Sequence, residues 1–256
     1  NPPEWEFVPE GWSKAAADRD IKGWNVPGVL EAYKTKWPEF VNSLQDTWPL
    51  GISHEAAQVR VEDCSPHNTI MAYAYVLTLA SRNTEKVSIL DWGGGIGHYY
   101  LIGKAVLPGV ELDYHCRDLP ILVQYGRSLF PEAHFYDEDS CFQQNYDLVV
   151  SSSSLQYAED WRDALAAIAG ATRGYLYVTR IPVVWSHPSF VVLQRPYAAG
   201  YGTEYLGWFF NRDELVQSAS DVGMELLREF FVGEKAGPSG APEIGQYRGF
   251  LFRPAK

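Results

Sequence analysis

Asp91-Trp92-Gly93-Gly94-Gly95-Ile96-Gly97 follows the apolar run Val87-Ser88-Ile89-Leu90 and leads into a helical stretch from His98 onward. A carboxylate is thus followed by four glycines within five positions, between a strand and a helix. Without a Cβ, the backbone can turn sharply there and come close to a ligand, and the N–H groups of the helix start can meet its polar atoms. The spacing argues against a dinucleotide fingerprint, because G-x-G-x-x-G would need glycine where His98 stands. A second carboxylate, Asp118 in Cys116-Arg117-Asp118-Leu119-Pro120, falls at the carboxyl end of the next strand, where open α/β sheets bind ligands. It could accept both hydroxyls of a ribose or simply cap the helix that follows. In Asp137-Glu138-Asp139, after a third strand, one acid could accept from an adenine amino group, Asp139 by position; solvated loop acids are the alternative.

The pattern D-x-G-x-G-x-G resembles the first motif of class I S-adenosylmethionine (SAM) dependent methyltransferases. That resemblance implies that Asp91 anchors the loop and that the backbone of Trp92, Gly93, Gly95 and Gly97 lies along the methionine and ribose of SAM. Asp118-Leu119-Pro120 is similar to the ribose-binding motif of small-molecule O-methyltransferases. Tyr146-Asp147-Leu148-Val149-Val150 running into Ser151-Ser152-Ser153-Ser154-Leu155 resembles the segment F-D-L-V-x-x-x-x-x-L-x-H of the same class. By that likeness Ser151 and Ser152 lie beside the methionine moiety and Leu155 packs against the cofactor. The chain departs from the pattern at Gln156-Tyr157, where many relatives carry Glu-His, so the histidine sometimes credited as a base is absent. Trp5-Glu6, Leu155-Gln156-Tyr157, Arg180-Ile181-Pro182, Gln194 and Tyr205-Leu206-Gly207-Trp208-Phe209-Phe210-Asn211 together look like a bacterial methyltransferase family of undetermined substrate, often associated with surface-polysaccharide or secondary-metabolite genes.

Three residues are candidates for the chemistry itself. His98 begins the helix after the glycines, Tyr157 replaces the missing histidine, and Arg180 ends the fifth strand, where it could bind an acceptor's carboxylate or phosphate. Tyr197, Tyr201, Tyr205, Trp208 and Phe210 could surround a sulfonium, since aromatic faces attract a desolvated cation; ordinary packing is the competing role.

The elements that must hold these residues are readable from rhythm. Strands at Val87 to Asp91, Glu111 to Cys116, Ala133 to Tyr136, Tyr146 to Ser151 and Gly174 to Arg180 alternate with helical stretches, implying a parallel sheet covered on both faces. A helix capped by Asn211 and ending at Gly223 precedes two strands, near Met224 to Val232 and Tyr247 to Arg253, that form a terminal hairpin. The expected fold is α/β: a Rossmann-like, seven-stranded class I methyltransferase sheet ending in an antiparallel hairpin. Residues 1–84 read as an N-terminal cap of short helices, including Leu30 to Leu44 and His67 to Ala80. Residues 85–256 form the SAM-binding domain, with a lid insertion at about 181–210, too long for an ordinary connection.

Composition narrows the partners. A net charge of −11 over 256 residues, with no basic stripe, argues against nucleic acid. The three cysteines are far apart and lack paired zinc spacing, so reduced thiols and no metal are expected. No run approaches the roughly 18 apolar residues of a membrane span, and the amino terminus has neither a basic nor an apolar region, so a cytoplasmic protein is expected. The leading expectation is a SAM-dependent methyltransferase acting on a small molecule at oxygen or nitrogen. The alternatives are an intramolecular cyclase releasing methylthioadenosine from SAM, then a non-catalytic SAM-binding module, and last an NAD-dependent oxidoreductase.

Overall fold

The computed structural model describes residues 2–51 and 62–255; part of the expected cap, 52–61, lies outside them. The central sheet is built from β2 (Lys86–Trp92), β3 (Glu111–Arg117), β4 (His134–Tyr136), β5 (Tyr146–Ser152), β6 (Thr172–Val184), β9 (Met224–Ala236) and β10 (Gly245–Pro254). Their order across the sheet is β4-β3-β2-β5-β6-β10-β9, parallel from β4 to β6, with β10 antiparallel to both β6 and β9. The chain runs outward from β2 to β4 and then returns to start β5 on the other side of β2, which opens a crevice at the carboxyl ends of those two strands.

In the middle of the sheet both faces are buried, which is why β2, β5 and β6 read as largely apolar runs. Ile89, Leu148, Val150 and Tyr177 pack under α3 (Ser65–Ser81), α4 (His98–Val106) and α5 (Pro120–Leu129). Leu90, Val149, Leu176 and Val178 pack on the other side against Trp161, Leu165 and Ile168 of α6 (Trp161–Gly170) and Leu215 and Ala219 of α7 (Arg212–Asp221). The expected Asn211 cap forms: its Oδ1 accepts from the backbone N–H groups of Asp213 and Glu214, at 3.0 and 3.1 Å.

Two expectations need correction. The sheet has ten strands rather than seven, because β1 (Trp5–Phe7), β7 (Phe190–Gln194) and β8 (Tyr205–Asn211) extend it. The segment 181–210 is therefore half strand: β6 runs on through Val184, and β8 pairs with its last residues, Val183 with Phe210 and Val184 with Asn211. Runs such as Val183-Val184 and Val191-Val192 favour this pleated surface. The amino-terminal segment is likewise not all helix, since Trp5, Glu6 and Phe7 pair with Gln194, Leu193 and Val192 of β7. Its other described elements are helical: α1 (Trp12–Asp18) packs Ala15 against Val191 and Leu206, and α2 (Pro27–Ser43) packs Val29 against Ile96, Leu122 and Tyr201. Strands β1, β7 and β8 and helix α2 thus form the wall that faces the crevice.

Candidate active site

The glycine turn is held open by what surrounds it. Gly93 adopts φ +78°, and an added Cβ would lie 2.2 Å from Cβ of Ser154, so the β2 turn and the β5 turn touch with no room for a side chain. Ser154 is itself fixed: its hydroxyl donates to the Trp92 carbonyl at 2.8 Å and lies 2.9 Å from the Ser151 hydroxyl. Asp118 reaches this turn from β3. One carboxylate oxygen accepts from the Gly95 N–H and the other from the Leu119 N–H, each at 2.6 Å. Asp118 is not the helix cap that the sequence offers as its alternative role, since Leu119 holds that position and no side chain caps the helix; each carboxylate oxygen retains a lone pair for a ligand.

Asp91 lies beneath the turn with 1% exposure. Its Oδ2 accepts from the Tyr114 hydroxyl, while its Oδ1 is buried with no hydrogen-bond partner among the described residues. Burial pushes its carboxyl up to about 7, the Tyr114 hydrogen bond opposes this, and the nearby Asp118 charge adds to it. An orphaned buried carboxylate oxygen is costly, and a bound cation would relieve it.

Two cavities adjoin the turn and a third lies beyond them. The first, about 310 Å³, is lined by Trp92, Gly93, Arg117, Asp118, Leu119 and Leu122, with Trp24 and Tyr33 from the cap opposite. A small one of about 80 Å³ is lined by Gly93 to Gly95, His98, Tyr99, Ser152 and Arg180. The third, about 520 Å³, spreads from Tyr157, Arg180 and Tyr205 to Glu4, Glu234 and Lys235. Trp24 and Ser153 line all three, at their common junction.

That junction is aromatic. The Trp24 indole stacks on Tyr205 with centroids 4.1 Å apart and planes 18° apart, and meets Tyr157 edge-on at 5.0 Å. Its Nε1 is buried without a hydrogen-bond partner among the described residues. The Tyr157 hydroxyl donates to Gln194 Oε1 at 3.0 Å, and burial raises its pKa well above the ordinary phenol range. Tyr157 is thus a hydrogen-bonding group and no base at neutral pH. His98 sits among the rings of Tyr33, Trp37 and Phe40, with centroids 5.6, 5.1 and 4.9 Å away, and burial pushes its pKa down to about 4. It is neutral at pH 7 and only a weak proton acceptor. For Arg180, burial opposes the charge, but Glu234 and the phenols of Tyr99, Tyr247 and Tyr157 outweigh it and raise its pKa. Arg180 is cationic throughout the physiological range.

Backbone strain gathers at the same place. Ser153 and Arg180 are the two non-glycine residues with positive φ among those described, at 54° and 52°. Gln156 clamps both: its amide nitrogen donates to the Ser153 hydroxyl at 3.1 Å and to the Arg180 carbonyl at 3.3 Å. Strain of this kind persists where surrounding contacts over-determine it. The Gln156-Tyr157 departure therefore has a structural content, with glutamine locking two strained turns while tyrosine lines the cavity.

Several expected residues sit elsewhere. Asp139 lies on the surface, paired with Arg117 at 3.1 Å, and lines none of the three cavities. Leu155 is fully buried in the core under α6. Ser151 is also fully buried and reaches the cavity wall only through Ser154, whereas Ser152 accepts from the Tyr99 hydroxyl at 2.8 Å. Tyr201 and Tyr205 line the third cavity, while Tyr197 is exposed and Phe210 packs on Trp161 in the core. The sequence gives no site role to Trp24, Tyr33, Tyr99 or Arg117, whereas Ser154 belongs to the run of four serines placed beside the methionine moiety. For Trp24 and Tyr33, the only available signal was the density of aromatics in the cap.

A parallel sheet with an antiparallel last strand, reversing at a glycine turn whose neighbouring strand ends in an acid, defines the Rossmann-like class I SAM-dependent methyltransferase fold, and this chain has it. The CcbJ methyltransferase of Streptomyces caelestis superposes with a TM-score of 0.52 at 13% identity, over 85% of this chain and 98% of that one. A SAM-dependent methyltransferase of Methanosarcina mazei superposes with a TM-score of 0.50 at 18% identity, over 67% of this chain and 94% of that one. No protein-family model matches the sequence and no curated protein matches it, so the likeness to one bacterial family drawn from short motifs gains no support at the level of sequence. No helix among the described residues is long and apolar enough to cross a membrane.

Proposed function

We propose that the protein is a SAM-dependent methyltransferase acting on a small-molecule acceptor, at oxygen or nitrogen. The observation that carries this reading is the pair of unlike compartments meeting at Trp24 and Ser153: an acid-and-glycine cavity of about 310 Å³, and a second cavity of about 520 Å³ beyond the aromatic cluster. In this reading Asp118 accepts the ribose hydroxyls with the lone pairs left over by Gly95 and Leu119. Asp91 Oδ1 accepts from the ammonium of the amino-acid arm. The backbone of Trp92, Gly93, Gly95 and Gly97 lies along the ligand, Ser152 and Tyr99 border it, and Leu119 packs on it. Asp139 acts at one remove, by fixing the Arg117 guanidinium.

SAM, when bound, supplies a methyl group already activated on a sulfonium. The task left to the chain is to bring an acceptor atom into line at near-contact distance and to exclude water. Trp24, Tyr157 and Tyr205 provide an apolar, electron-rich wall for that approach, and Arg180 provides a fixed positive charge for an anionic group of the acceptor. The neutral, weakly basic His98 and the firmly protonated Tyr157 support a mechanism driven by proximity, in which the acceptor arrives as its own nucleophile. The larger cavity supports a two-substrate reaction over internal cyclisation of SAM, which would leave it without a purpose.

Incubation of the protein with SAM, first alone and then with a panel of phenols, amines and sugars, tests the reading by mass spectrometry. S-Adenosylhomocysteine formed in step with a methylated acceptor is the expected result. Methylthioadenosine accumulating from SAM alone, above spontaneous decay, would instead make SAM the sole substrate.

The Asp91 carboxyl adds a pH signature. Contact with a ligand ammonium would draw its pKa down from about 7, so binding releases a proton whenever the free protein holds one. Affinity for S-adenosylhomocysteine should then be level above pH ~7 and fall by up to about tenfold for each unit below it, until the bound-state pKa is reached. Calorimetry in buffers of different ionisation enthalpy reads both effects, and Asp91→Asn should flatten the profile. A wild-type profile already flat, with no proton released, removes Asp91 from the ammonium.

A further inference from the structure

We propose that Asp113, His115 and His134 form a binding site for one divalent transition-metal ion, of which Zn²⁺ is the best match, on the face of the sheet where β3 and β4 meet. Asp113 and His115 are two apart on β3 and so point to the same face, and His134 is the register partner of His115 on β4. One ligand atom from each of the three lies within 4.8 Å of the others. Asp113 Oδ1 stands 3.4 Å from Nε2 of His115 and 3.8 Å from Nε2 of His134.

Those separations are longer than close histidine–carboxylate hydrogen bonds and leave room for a shared ion. A histidine–carboxylate hydrogen bond closes to about 2.7–2.9 Å. Donors arranged tetrahedrally around Zn²⁺ at about 2.0–2.1 Å lie roughly 3.3–3.5 Å from one another; the Asp113–His115 separation of 3.4 Å matches this, and the Asp113–His134 separation of 3.8 Å would close by a few tenths of an ångström on binding. The two imidazoles stack with centroids 4.5 Å apart, which aligns both Nε2 atoms toward the same carboxylate. His115 is also oriented from behind. Its Nδ1 lies 2.9 Å from the Tyr136 hydroxyl and 3.1 Å from the Gln144 amide, so Nδ1–H can donate to Tyr136 while Nε2 presents a lone pair. Gln144 Nε2 also donates to the Tyr146 hydroxyl at 2.9 Å, so presenting the His115 Nε2 lone pair to an ion requires this amide to turn, giving up that bond and offering Oε1 to Nδ1–H. A partner fixing the far nitrogen is the usual support of a metal-bound histidine.

Two imidazoles and one carboxylate are a borderline donor set that favours Zn²⁺ and its neighbours over Mg²⁺ or Ca²⁺, which take oxygen ligands. The exposed side of His134 leaves a fourth position for water. Lys86 is the nearby opposing charge, and it is engaged with Glu111 at 2.9 Å. The ion would tie the edge strand β4 to β3 two residues before Arg117, which lines the first cavity. The sequence implied no metal because its cysteines lack zinc spacing; this trio depends on the pairing register of two parallel strands, which spacing along the chain does not reveal.

The test uses the metal-stripped full chain carrying Cys64→Ser, which removes the exposed thiol. Titration with zinc sulfate by calorimetry should give one ion per chain, and Co²⁺ should give the visible absorption of a nitrogen- and oxygen-ligated site. Asp113→Asn or His134→Ala should each weaken Zn²⁺ binding at least tenfold, and Tyr136→Phe by a smaller factor. His134 and Asp113 are partly exposed, so circular dichroism should show the fold kept. Failure of the Cys64→Ser chain to bind Zn²⁺ overturns the proposal, as does undiminished affinity in the Asp113→Asn, His134→Ala double variant. No SAM is present in this experiment, so its outcome is independent of the methyltransferase reading.

Discussion

Replacing Asp118 by alanine is expected to lower SAM affinity about 100-fold or more, roughly 2.7 kcal/mol, while the chain still folds. The carboxylate does two things at once. It satisfies the N–H groups of Gly95 and Leu119, at 2.6 Å each, and it would take the ribose hydroxyls with what remains. Alanine leaves two backbone donors without their acceptor, at about 1–3 kcal/mol for each that water cannot reach, so the turn loses its set position before any ligand arrives. The ligand then loses its direct contacts as well. Asp118→Asn should fall between wild type and Asp118→Ala, because its amide keeps one acceptor but presents an NH₂ to an N–H. Calorimetry with S-adenosylhomocysteine, alongside urea unfolding, separates the two losses: an affinity within threefold of wild type would remove Asp118 from the ligand, whatever the stability does.

The residues legible in the sequence are those whose role is written in local pattern. The glycine turn, Asp118 at the end of β3 and the Asn211 cap each depend on a few adjacent residues, and all stand where the pattern put them. What the sequence hid depends on distant pairings. Trp24 matters because it stacks on Tyr205, and nothing near either residue announces the other. Strand β1 is three residues long and exists because β7 offers a free edge. Position alone favoured Asp139 for a ligand, whereas Arg117 takes it as an ion-pair partner. Leu155 fits the class motif, but the short turn at Leu155–Tyr157 directs it into the core and leaves Tyr157 on the cavity wall.

The same geometry explains why the catalytic candidates did not resolve into an acid and a base. His98, Tyr157 and Arg180 all border the cavities, yet burial depresses the imidazole and raises the phenol, while neighbouring acids and phenols keep the guanidinium charged. Groups tuned for proton transfer at neutral pH would sit near 7. Asp91 sits there, but it lies under the glycine turn with a buried orphan oxygen, suited to hold a cation and not to move an acceptor's proton. The pKa pattern thus describes a site that binds and excludes water.

Gly93→Ala is the second substitution with a large expected effect, on stability as well as on binding. A methyl group at this position would lie 2.2 Å from Ser154 Cβ and 2.7 Å from its hydroxyl. Ser154 cannot turn aside without giving up its bonds to the Trp92 carbonyl and the Ser151 hydroxyl. The left-handed backbone at φ +78° costs an alanine about 1–2 kcal/mol, and forcing a methyl group into closed packing adds about 1–3. The variant should therefore lose roughly 2–5 kcal/mol of stability and bind S-adenosylhomocysteine too weakly to measure under conditions that saturate wild type. Adding Ser154→Gly removes the atoms in the way but not the backbone strain, so part of the stability should return. Ser154→Gly itself forgoes the bonds to Trp92 and Ser151, so the double variant is compared with Ser154→Gly alone: equal stability would mean that contact, and not the left-handed turn, requires glycine at 93, and a difference as large as that of Gly93→Ala from wild type would mean that the turn geometry carries the whole effect.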